Sequence, residues 1–302
     1  MKTRKLGSSI MKVSEIGLGC MSLGTDEKKA ADIIHAALEE GITYFDTADL
    51  YDYSMNEAIV GQTLKTCRDQ VILATKVGNR WNEARDGWSW DASSAYIKTA
   101  VKDSLTRLGT DYIDVYQLHG GTMEDNIDEV IDTFEELKKA GYIRAYGISS
   151  IRPNVIKQYA AKSHIDSVMM QYSLLDRRPE EWLPLLKEQN ISIIARGPVA
   201  KGLLSERMLS KLNADGYLDY SYNELKELLP LLKDKLSPRK MNETALQYVL
   251  AEPTVAAVIP GASSVAQLRE NCQAVRSKTL SSEELQVLRQ LTKANVYHIH
   301  RD

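Results

Sequence analysis

Three ionisable residues stand at the ends of three successive strand-like segments, and a tyrosine follows the first of them. Asp46 and Lys76 end two of these segments, His119 follows the third, and Tyr51 lies in a polar loop close behind Asp46. A phenol ionises near pH ~10, but a nearby ammonium stabilises the phenolate and makes the phenol a better proton donor at neutral pH. A carboxylate can hold that ammonium, and a neutral imidazole can orient a carbonyl oxygen beside the phenol. Together, the four side chains would suit reduction of a carbonyl group by hydride transfer.

Each of these residues also has an ordinary interpretation. A single Asp, Lys or His is more often a hydrogen-bonded structural group or a surface charge than part of an active site. The carboxyl ends of parallel strands meet at one face of a sheet, however. The placement of Asp46, Lys76 and His119 at three consecutive strand ends therefore favours the chemical interpretation.

The elements that must position these residues alternate regularly. Short apolar segments are followed by longer amphipathic ones along the whole chain, which is typical of repeated βα units around a parallel sheet. Three of the predicted helices end just before a glycine, at Glu27 to Glu40, Ser93 to Leu108 and Ile127 to Ala140. Eight strands are predicted, at Glu15 to Gly19, Thr43 to Asp46, Val71 to Lys76, Ile113 to Leu118, Ala145 to Ser149, Ser167 to Gln171, Ser192 to Arg196 and Ala256 to Ile259.

Eight such units favour a closed (β/α)8 barrel, or TIM barrel, over a doubly wound open sheet, which usually has fewer strands. No linker rich in Pro, Gly or Ser divides the chain, so we predict one α/β domain over residues 1–302. A β-hairpin over Thr3 to Val13 could close the barrel floor. Extra helices are predicted before strand eight, in the insert Leu203 to Pro238, and at the C-terminus. Pro230 predicts a break in the insert helix.

The composition excludes several other classes of protein. Lys and Arg number 38 against 41 Asp and Glu, which leaves no basic stripe for nucleic acid. No segment has the roughly 18 apolar residues of a membrane helix, and no apolar segment follows the polar N-terminus. Three distant cysteines lack metal-ligand spacing, and His298 and His300 lack a third ligand. We therefore predict a cytoplasmic protein without a metal ion.

The four candidate residues and their flanking segments resemble the aldo-keto reductases. The similarity covers nearly the whole chain, and it is closest to the branch that includes the β-subunits of potassium channels. The resemblance implies that Asp46, Tyr51, Lys76 and His119 form a catalytic tetrad. The segments that carry it are Phe45 to Ala48, Tyr51 to Glu57, Asp111 to His119, Gly147 to Ser150, Gln171 to Ser173, Gly197 to Leu204, Ile259 to Gly261 and Glu270 to Asn271.

The same resemblance implies where a nicotinamide cofactor binds. The carboxamide would be held near Ser149, the pyrophosphate would lie along Gly197 to Gly202, and Glu270 and Asn271 would face the adenine from the start of the helix after strand eight. The implied cofactor-binding residues are Cys20, Met21, Asp46, Ser149, Ser150, Gln171, Arg196, Gly197, Pro198, Val199, Ala200, Lys201, Gly202, Gly261, Ser263, Gln267, Glu270 and Asn271.

Three positions depart from the family pattern. Arg196 replaces a common aromatic ring, although a guanidinium can also stack on a nicotinamide. Ser150 replaces a common Asn, and a hydroxyl makes fewer hydrogen bonds than an amide. Ser263 stands where many relatives have an Arg that binds the 2′-phosphate of NADP. We expect NADP(H), with NAD(H) as the alternative.

These observations predict an oxidoreductase that reduces an aldehyde or ketone, with hydride passing from the nicotinamide C4 to the carbonyl carbon and Tyr51 as proton donor. One alternative is a nicotinamide-binding regulatory subunit with slow turnover. Another is a Rossmann dehydrogenase, but only Gly17 to Ser22 resembles its fingerprint, and we interpret that segment as the first strand and its turn. The particular small-molecule carbonyl substrate, the direction and the oligomeric state stay open. A loop with three tryptophans either lines the substrate site or packs on itself, at Trp81, Trp88 and Trp90.

Overall fold

The eight segments predicted as barrel strands form one parallel sheet in the computed structural model, which describes residues 1–82, 84 and 86–301. The strand order follows the chain, apart from two short hairpins outside the sheet. Parallel bridges from Ile16 to Val258 and from Gly19 to Gly261 join the first barrel strand to the last. The prediction of a (β/α)8 barrel is therefore confirmed.

The bounds of the elements follow the predicted ones closely. The strands are β1 (Thr3–Lys5), β2 (Lys12–Ser14), β3 (Leu18–Gly19), β4 (Tyr44–Asp46), β5 (Ile72–Val77), β6 (Asn79–Trp81), β7 (Trp88–Trp90), β8 (Ile113–Leu118), β9 (Ile143–Ser149), β10 (Ser167–Gln171), β11 (Ser192–Arg196) and β12 (Val255–Ile259). The helices are α1 (Glu27–Glu39), α2 (Met55–Leu64), α3 (Ser94–Leu108), α4 (Ile127–Lys139), α5 (Pro153–Lys162), α6 (Leu183–Glu188), α7 (Tyr222–Lys235), α8 (Met241–Leu250), α9 (Val265–Arg276) and α10 (Ser282–Leu291).

Helix α4 shows why these segments fold as they do. Asn126 caps its N-terminus by accepting a hydrogen bond from the amide of Glu129 at 3.3 Å, and Gly141 follows its end with a φ of 84°. Its apolar face packs against the sheet, so the polar face is left for solvent. The buried apolar residues of this face are Ile127, Val130, Ile131, Phe134 and Leu137.

The N-terminal hairpin closes the bottom of the barrel, as predicted. Strands β1 and β2 pair in antiparallel fashion, and the amide of Gly7 between them donates to the hydroxyl of Ser192 at 2.8 Å. The apolar side chains of the hairpin fill the barrel interior together with residues from the strands. We call this cluster the floor layer; it includes Leu6, Met11 and Val13 from the hairpin and Tyr44, Ala74, Val115, Ala145, Met169 and Ile194 from the strands.

The extra helices α7 and α10 lie before strand eight and near the C-terminus, where they were expected. The predicted break at Pro230 is wrong, because α7 continues through it. Pro230 removes one backbone donor, but Ser221 and Glu224 cap the helix reciprocally, and Leu225 and Leu229 are buried against the barrel. None of the helices in the described residues is both long and apolar enough to span a bilayer.

Candidate active site

At the mouth of the barrel, five strands each have a polar side chain two positions after their residue in the floor layer. Because side chains alternate along a strand, residues i and i+2 point the same way, so Tyr44 and Asp46 share the interior, as do Ala74 and Lys76. We call this set the mouth layer; its members are Asp46, Lys76, Gln117, Gln171 and Arg196.

An ion pair lies at the centre of the mouth layer. The ammonium of Lys76 is 2.5 Å from one carboxylate oxygen of Asp46, and it also donates to the carbonyl oxygen of Thr47 at 2.7 Å. Lys76 is 0% exposed and Asp46 is 3% exposed. Burial of two paired charges is costly unless each is fully hydrogen-bonded. Gln117 supplies a further bond by donating to the other Asp46 oxygen at 3.0 Å.

The phenol of Tyr51 meets this ion pair from the loop after β4. Its hydroxyl is 3.3 Å from the Lys76 ammonium, which is within hydrogen-bond distance. The imidazole of His119 lies on the other side of the phenol, with ring centroids 6.0 Å apart and ring planes at 85°. The structure therefore brings together the four residues named as a tetrad.

An unusual backbone holds Tyr51 in place. The three residues after it, Asp52, Tyr53 and Ser54, have positive φ angles of 49°, 55° and 70°, which non-glycine residues rarely adopt. The hydroxyl of Ser54 donates to the carbonyl of Asp49 at 2.7 Å, and the buried amide of Asn56 donates to the carbonyl of Cys20 at 2.9 Å. These bonds fix the loop that presents the phenol.

Electrostatics define the charge states of the buried groups. Burial, and then the charges of Lys76 and Arg196, lower the pKa of His119 to about 3, so its imidazole is neutral at physiological pH. Burial alone would lower the pKa of Lys76, but the carboxylate of Asp46 and the phenol of Tyr51 outweigh it and raise that pKa. Burial raises the pKa of Asp46, and the contacts with Lys76 and Gln117 oppose the rise. A cationic lysine and a neutral histidine therefore flank the phenol.

Several supporting groups were not predicted. Gln117 binds Asp46, and the side-chain amide of Asn79 donates to the carbonyl of His119 at 3.0 Å. The sequence did contain one signal for Gln117, because it lies two residues before His119 and shares its inward direction. The Nδ1 atom of His119 and the Oε1 atom of Gln117 are buried without a hydrogen-bond partner among the described residues. Both atoms are enclosed by the protein, so they are unsatisfied polar groups of the site rather than groups open to solvent.

The tryptophan loop folds as the hairpin β6–β7, which packs against the loops around the mouth. The indole of Trp81 donates to the carbonyl of Leu50 at 2.9 Å, next to Tyr51. The ring of Trp90 fills the space in front of two glycines: a Cβ atom on Gly78 would lie 2.5 Å from it, and one on Gly120 would lie 3.2 Å from it. Trp88 is 58% exposed and pairs only along the hairpin. Trp81 and Trp90 therefore support the loops that follow β4, β5 and β8.

The residues implied for the carboxamide of a nicotinamide follow β9 and β10. Ser149 ends β9, and Ser150 is buried with its hydroxyl oxygen accepting from the amide of Arg152 at 3.3 Å. Gln171 ends β10, and its carbonyl oxygen accepts from Arg178 at 3.5 Å. These three side chains offer both donors and acceptors, which suits an amide ligand.

The residues implied for the pyrophosphate follow β11. Arg196, Gly197 and Lys201 are exposed, Val199 is partly exposed, and Pro198 and Ala200 are buried. Positive φ angles turn the chain sharply, at Gly197 and again at Ala200, Lys201 and Gly202, which form one short 3-10 segment. An exposed guanidinium and ammonium beside an open glycine backbone suit phosphate groups.

The residues implied for the adenine end of the cofactor surround α9. Gly261 and Ser263 precede the helix, and the carboxamide of Gln267 accepts from the Ser263 amide at 3.0 Å. The expectation that Glu270 and Asn271 start this helix is wrong. Ser264 caps it, so α9 begins at Val265 and these two residues lie in its middle, Glu270 exposed and Asn271 buried.

Two implied cofactor residues precede α1. Cys20 is 0% exposed, and its thiol donates to the carbonyl of Leu18 at 3.6 Å, so the thiol is closed to a ligand. Burial, and then the charge of Asp46, raise the pKa of the Cys20 thiol, which keeps it protonated. Met21, in contrast, is 66% exposed.

Comparison with known proteins identifies the family of the chain. The model of the aldo/keto reductase family matches residues 15–293. The chain belongs to this family. It is 58% identical, over the whole length of both chains, to an uncharacterized oxidoreductase, YqkF, of Bacillus subtilis (strain 168). It is 29% identical to the NADH-specific methylglyoxal reductase of Escherichia coli (strain K12), over 97% of this chain and 99% of the other.

A solved structure gives the same result for the fold. The holo form of the aldo-keto reductase AKR11C1 from Bacillus halodurans superimposes with a TM-score of 0.96 at 58% identity, and each chain is covered completely. The fold and the family assignment therefore rest on agreement along the entire chain, and the chain is an oxidoreductase of this family.

Proposed function

We propose that the protein reduces aldehydes or ketones to alcohols with NADP(H), and that Tyr51 protonates the carbonyl oxygen. The observation that carries this proposal is the chain of contacts from Asp46 to Lys76 to Tyr51, at 2.5 Å and 3.3 Å, beside a neutral imidazole. When bound, the nicotinamide would supply the hydride. The phenol, the ammonium and the imidazole are the protein's own contribution.

The role of each group follows from its surroundings. The ammonium of Lys76 stabilises negative charge on the phenol oxygen after the proton has left. Asp46 keeps Lys76 charged and holds it within reach of the phenol. A neutral His119 can donate a hydrogen bond to the carbonyl oxygen without repelling Lys76, which a cationic imidazole would do.

The residues present fit a nicotinamide dinucleotide. Ser149, Ser150 and Gln171 would hold the carboxamide, and the backbone after Gly197, with Lys201, would hold the pyrophosphate. The resemblance to a holo structure supports this arrangement. We propose NADP(H) as the main cofactor. Because Ser263 adds no positive charge for a 2′-phosphate, and because one relative is NADH-specific, we also propose measurable use of NAD(H).

A titration tests cofactor binding without a substrate. Quenching of tryptophan fluorescence by NADPH and, separately, by NADH should give both affinities, with NADPH bound more tightly. Absence of quenching by either cofactor in a folded sample would contradict the proposal.

The substitution Tyr51→Phe tests the proton donor. We expect turnover of a reactive aldehyde to fall by about 10²- to 10⁴-fold, the usual contribution of a positioned acid, while NADPH affinity stays unchanged. Single-turnover rates with deuterated cofactor should show that chemistry is the slow step. Retention of most of the chemical rate would remove Tyr51 from its role.

The alternative function, a nicotinamide-binding regulatory subunit with slow catalytic turnover, predicts a different result. Such a protein would bind NADPH tightly, yet it would reduce every aldehyde of a reactive panel very slowly. The same titration and panel therefore distinguish the two functions.

A further inference from the structure

A cavity of about 460 Å³ opens between the loops after β9 and β10, the insert before α7 and the C-terminal tail. Pockets that bind small organic ligands usually have volumes of roughly 300–1,000 Å³, so this one is large enough for a substrate. Its walls come from four separate parts of the chain, represented by Ile151, Arg178, Leu218 and Tyr297.

The cavity borders the proposed active site. Ile151 and Arg152 directly follow Ser150, and the guanidinium of Arg152 donates to the carbonyl of Gly121 at 2.7 Å, two residues beyond His119. On the other side, Arg178 is 3.5 Å from the carboxamide oxygen of Gln171. The cavity thus lies beside residues proposed to hold the nicotinamide and near the loop that carries His119.

The lining combines apolar side chains with the positive charge of Arg152, which acts on the exposed carboxylate of Glu124 without forming an ion pair with it. Ile151, Leu218, Val296 and Ile299 supply apolar surface. The hydrogen bond from Arg152 to the Gly121 carbonyl leaves its charge without a carboxylate in ion-pair distance within the described residues.

Two neighbouring residues of the lining are less suited to an anion. Arg178 forms two bonds of 2.7 Å with Asp176, so its charge is compensated. Asp219 on the insert is an acid; Lys293 donates to its main-chain carbonyl at 2.5 Å, but the charge of this lysine is paired with Glu224. Arg152 is therefore the group in this wall best suited to bind an anion.

A hydroxyl group in the same cavity also lacks a partner. Tyr297 is 4% exposed, and its hydroxyl has no hydrogen-bond partner among the described residues. Burial, and then the charge of Asp176, raise the pKa of this phenol, so it stays a neutral donor. An unsatisfied buried hydroxyl is costly, so this phenol is an unpaired polar group in the wall of the cavity.

We propose that this cavity selects carbonyl substrates that carry a carboxylate, with Arg152 binding the carboxylate and the apolar wall binding the chain between it and the carbonyl group. The inference rests on the proposed reductase function and specifies its substrate class. Charge-assisted hydrogen bonds from a guanidinium to a carboxylate are among the stronger ones that proteins form.

The test compares matched substrates. ω-Oxo acids of six and nine carbons would be assayed beside their methyl esters, which have the same chain and aldehyde but no charge. We expect kcat/KM to be roughly 10- to 100-fold higher for the acid of the better chain length than for its ester, mainly through KM. Added salt should reduce this ratio, because it screens the charge.

Two variants locate the charge. Arg152→Met should bring the ratio of kcat/KM for the acid to that for the ester close to one. Arg152→Lys keeps the charge, so it should keep part of the preference for the acid. Lys157→Met is the matched control: it removes an exposed positive charge from helix α5, five residues away and outside the cavity lining, and it should keep the wild-type ratio.

Equal kcat/KM values for acids and esters in the wild type would overturn the proposal, even if no variant folds. A ratio of acid to ester kcat/KM that stays at the wild-type value in Arg152→Met would also overturn it. So would an equal loss of kcat/KM for acid and ester in that variant, because such a loss would show a purely structural role. Absence of turnover with every aldehyde, together with absence of cofactor quenching, would instead refute the reductase function itself. Turnover of the esters with no preference for the acids would refute only the substrate class.

Discussion

The floor layer and the mouth layer are built from the same strands, only two residues apart, yet they differ completely in chemistry. In β5, Ala74 packs in an apolar cluster and Lys76 carries a buried charge; in β8, Val115 and Gln117 differ in the same way. The floor is covered by the hairpin side chain of Leu6, whereas the mouth is left to loops with positive φ angles.

This difference separates the part of the barrel that stabilises the fold from the part that does chemistry. Burial of apolar surface is favourable wherever it occurs, so the floor needs only side chains of suitable size. The mouth holds a buried ion pair whose desolvation is costly, so its stability depends on each hydrogen bond to Asp46 and Lys76. Substitutions in the mouth should therefore lower both activity and stability, whereas substitutions in the floor should lower stability alone.

The largest effect is expected from Lys76→Met in the mouth. Turnover should fall by about 10²- to 10⁴-fold, because the phenol loses the cation beside it. The free energy of unfolding should also fall by about 3–5 kcal/mol at neutral pH, since Asp46 is left buried without its counter-charge. Single-turnover kinetics and urea denaturation measure the two effects.

A double variant separates these two losses. Asp46→Asn combined with Lys76→Met removes both charges and keeps an acceptor for Gln117, so stability should recover by at least half while activity stays absent. If Lys76→Met alone kept the wild-type free energy of unfolding, the stability of the mouth would not depend on the ion pair.

The next largest effect belongs to the floor. Leu6→Ala should reduce the free energy of unfolding by about 2–5 kcal/mol through loss of buried surface and the cavity that remains. The kcat of the folded enzyme should not change, because Leu6 packs in the floor layer and not among the groups proposed to do the chemistry. Ile10→Ala is the control in the same hairpin. Because Ile10 is 99% exposed, this substitution should hardly change the free energy of unfolding. A fall in kcat with Leu6→Ala would mean that the two layers are coupled.

A smaller effect concerns the pH dependence of stability. The imidazole of His119 stays neutral down to a pKa of about 3 in the folded protein, whereas an unfolded histidine takes up a proton below pH ~6.5. Between these values the unfolded state binds more protons, so stability should fall as the pH falls, by about 1 kcal/mol per pH unit from this group.

Comparison with His119→Asn isolates that contribution. Denaturation at pH 7, 6, 5 and 4 should show a steeper decline for the wild type than for the variant, because other groups titrate alike in both. Parallel declines would indicate that His119 is protonated in the folded state, and the mouth would then lose its neutral donor.

The smallest effect is expected at the exposed rim of the mouth. Ser263→Arg should raise the preference for NADPH over NADH roughly ten-fold, equivalent to about 1.4 kcal/mol, by adding a cation for the 2′-phosphate. Gln273→Arg, further along α9, adds the same charge elsewhere and should leave the ratio of the two dissociation constants unchanged. A similar gain in both variants would point to general electrostatics rather than a contact.

Much of the fold could be predicted from the sequence because it depends on local periodicity. Strands such as β8 and β10 begin and end where expected, since their apolar runs and flanking glycines or polar residues mark them. Strand β3 is shorter than predicted, because Ile16 and Gly17 bond instead to Val258 at the barrel seam. Pro230 shows the limit of local rules, since buried leucines on both sides of it outweigh one lost hydrogen bond.

The catalytic set could be predicted because strand ends converge in a barrel, but its supporting contacts could not. The bond from Gln117 to Asp46 joins residues 71 positions apart, and nothing in the sequence near either residue indicates the distance between their side chains. The same holds for Asn79 and His119. The cap at Ser264 could have been recognised from its spacing to Gln267, and that would have placed Glu270 correctly in mid-helix.

The indole of Trp90 restricts how this enzyme can diversify. Its ring occupies the volume that a side chain at Gly78 or Gly120 would need, and these glycines follow two strands that supply Lys76 and His119. Both glycines also have positive φ angles, of 122° and 144°, so a side chain at either position would need a smaller residue than Trp90 and a changed backbone as well. A loop graft intended to change substrate choice should therefore transfer Gly78, Trp90 and Gly120 together.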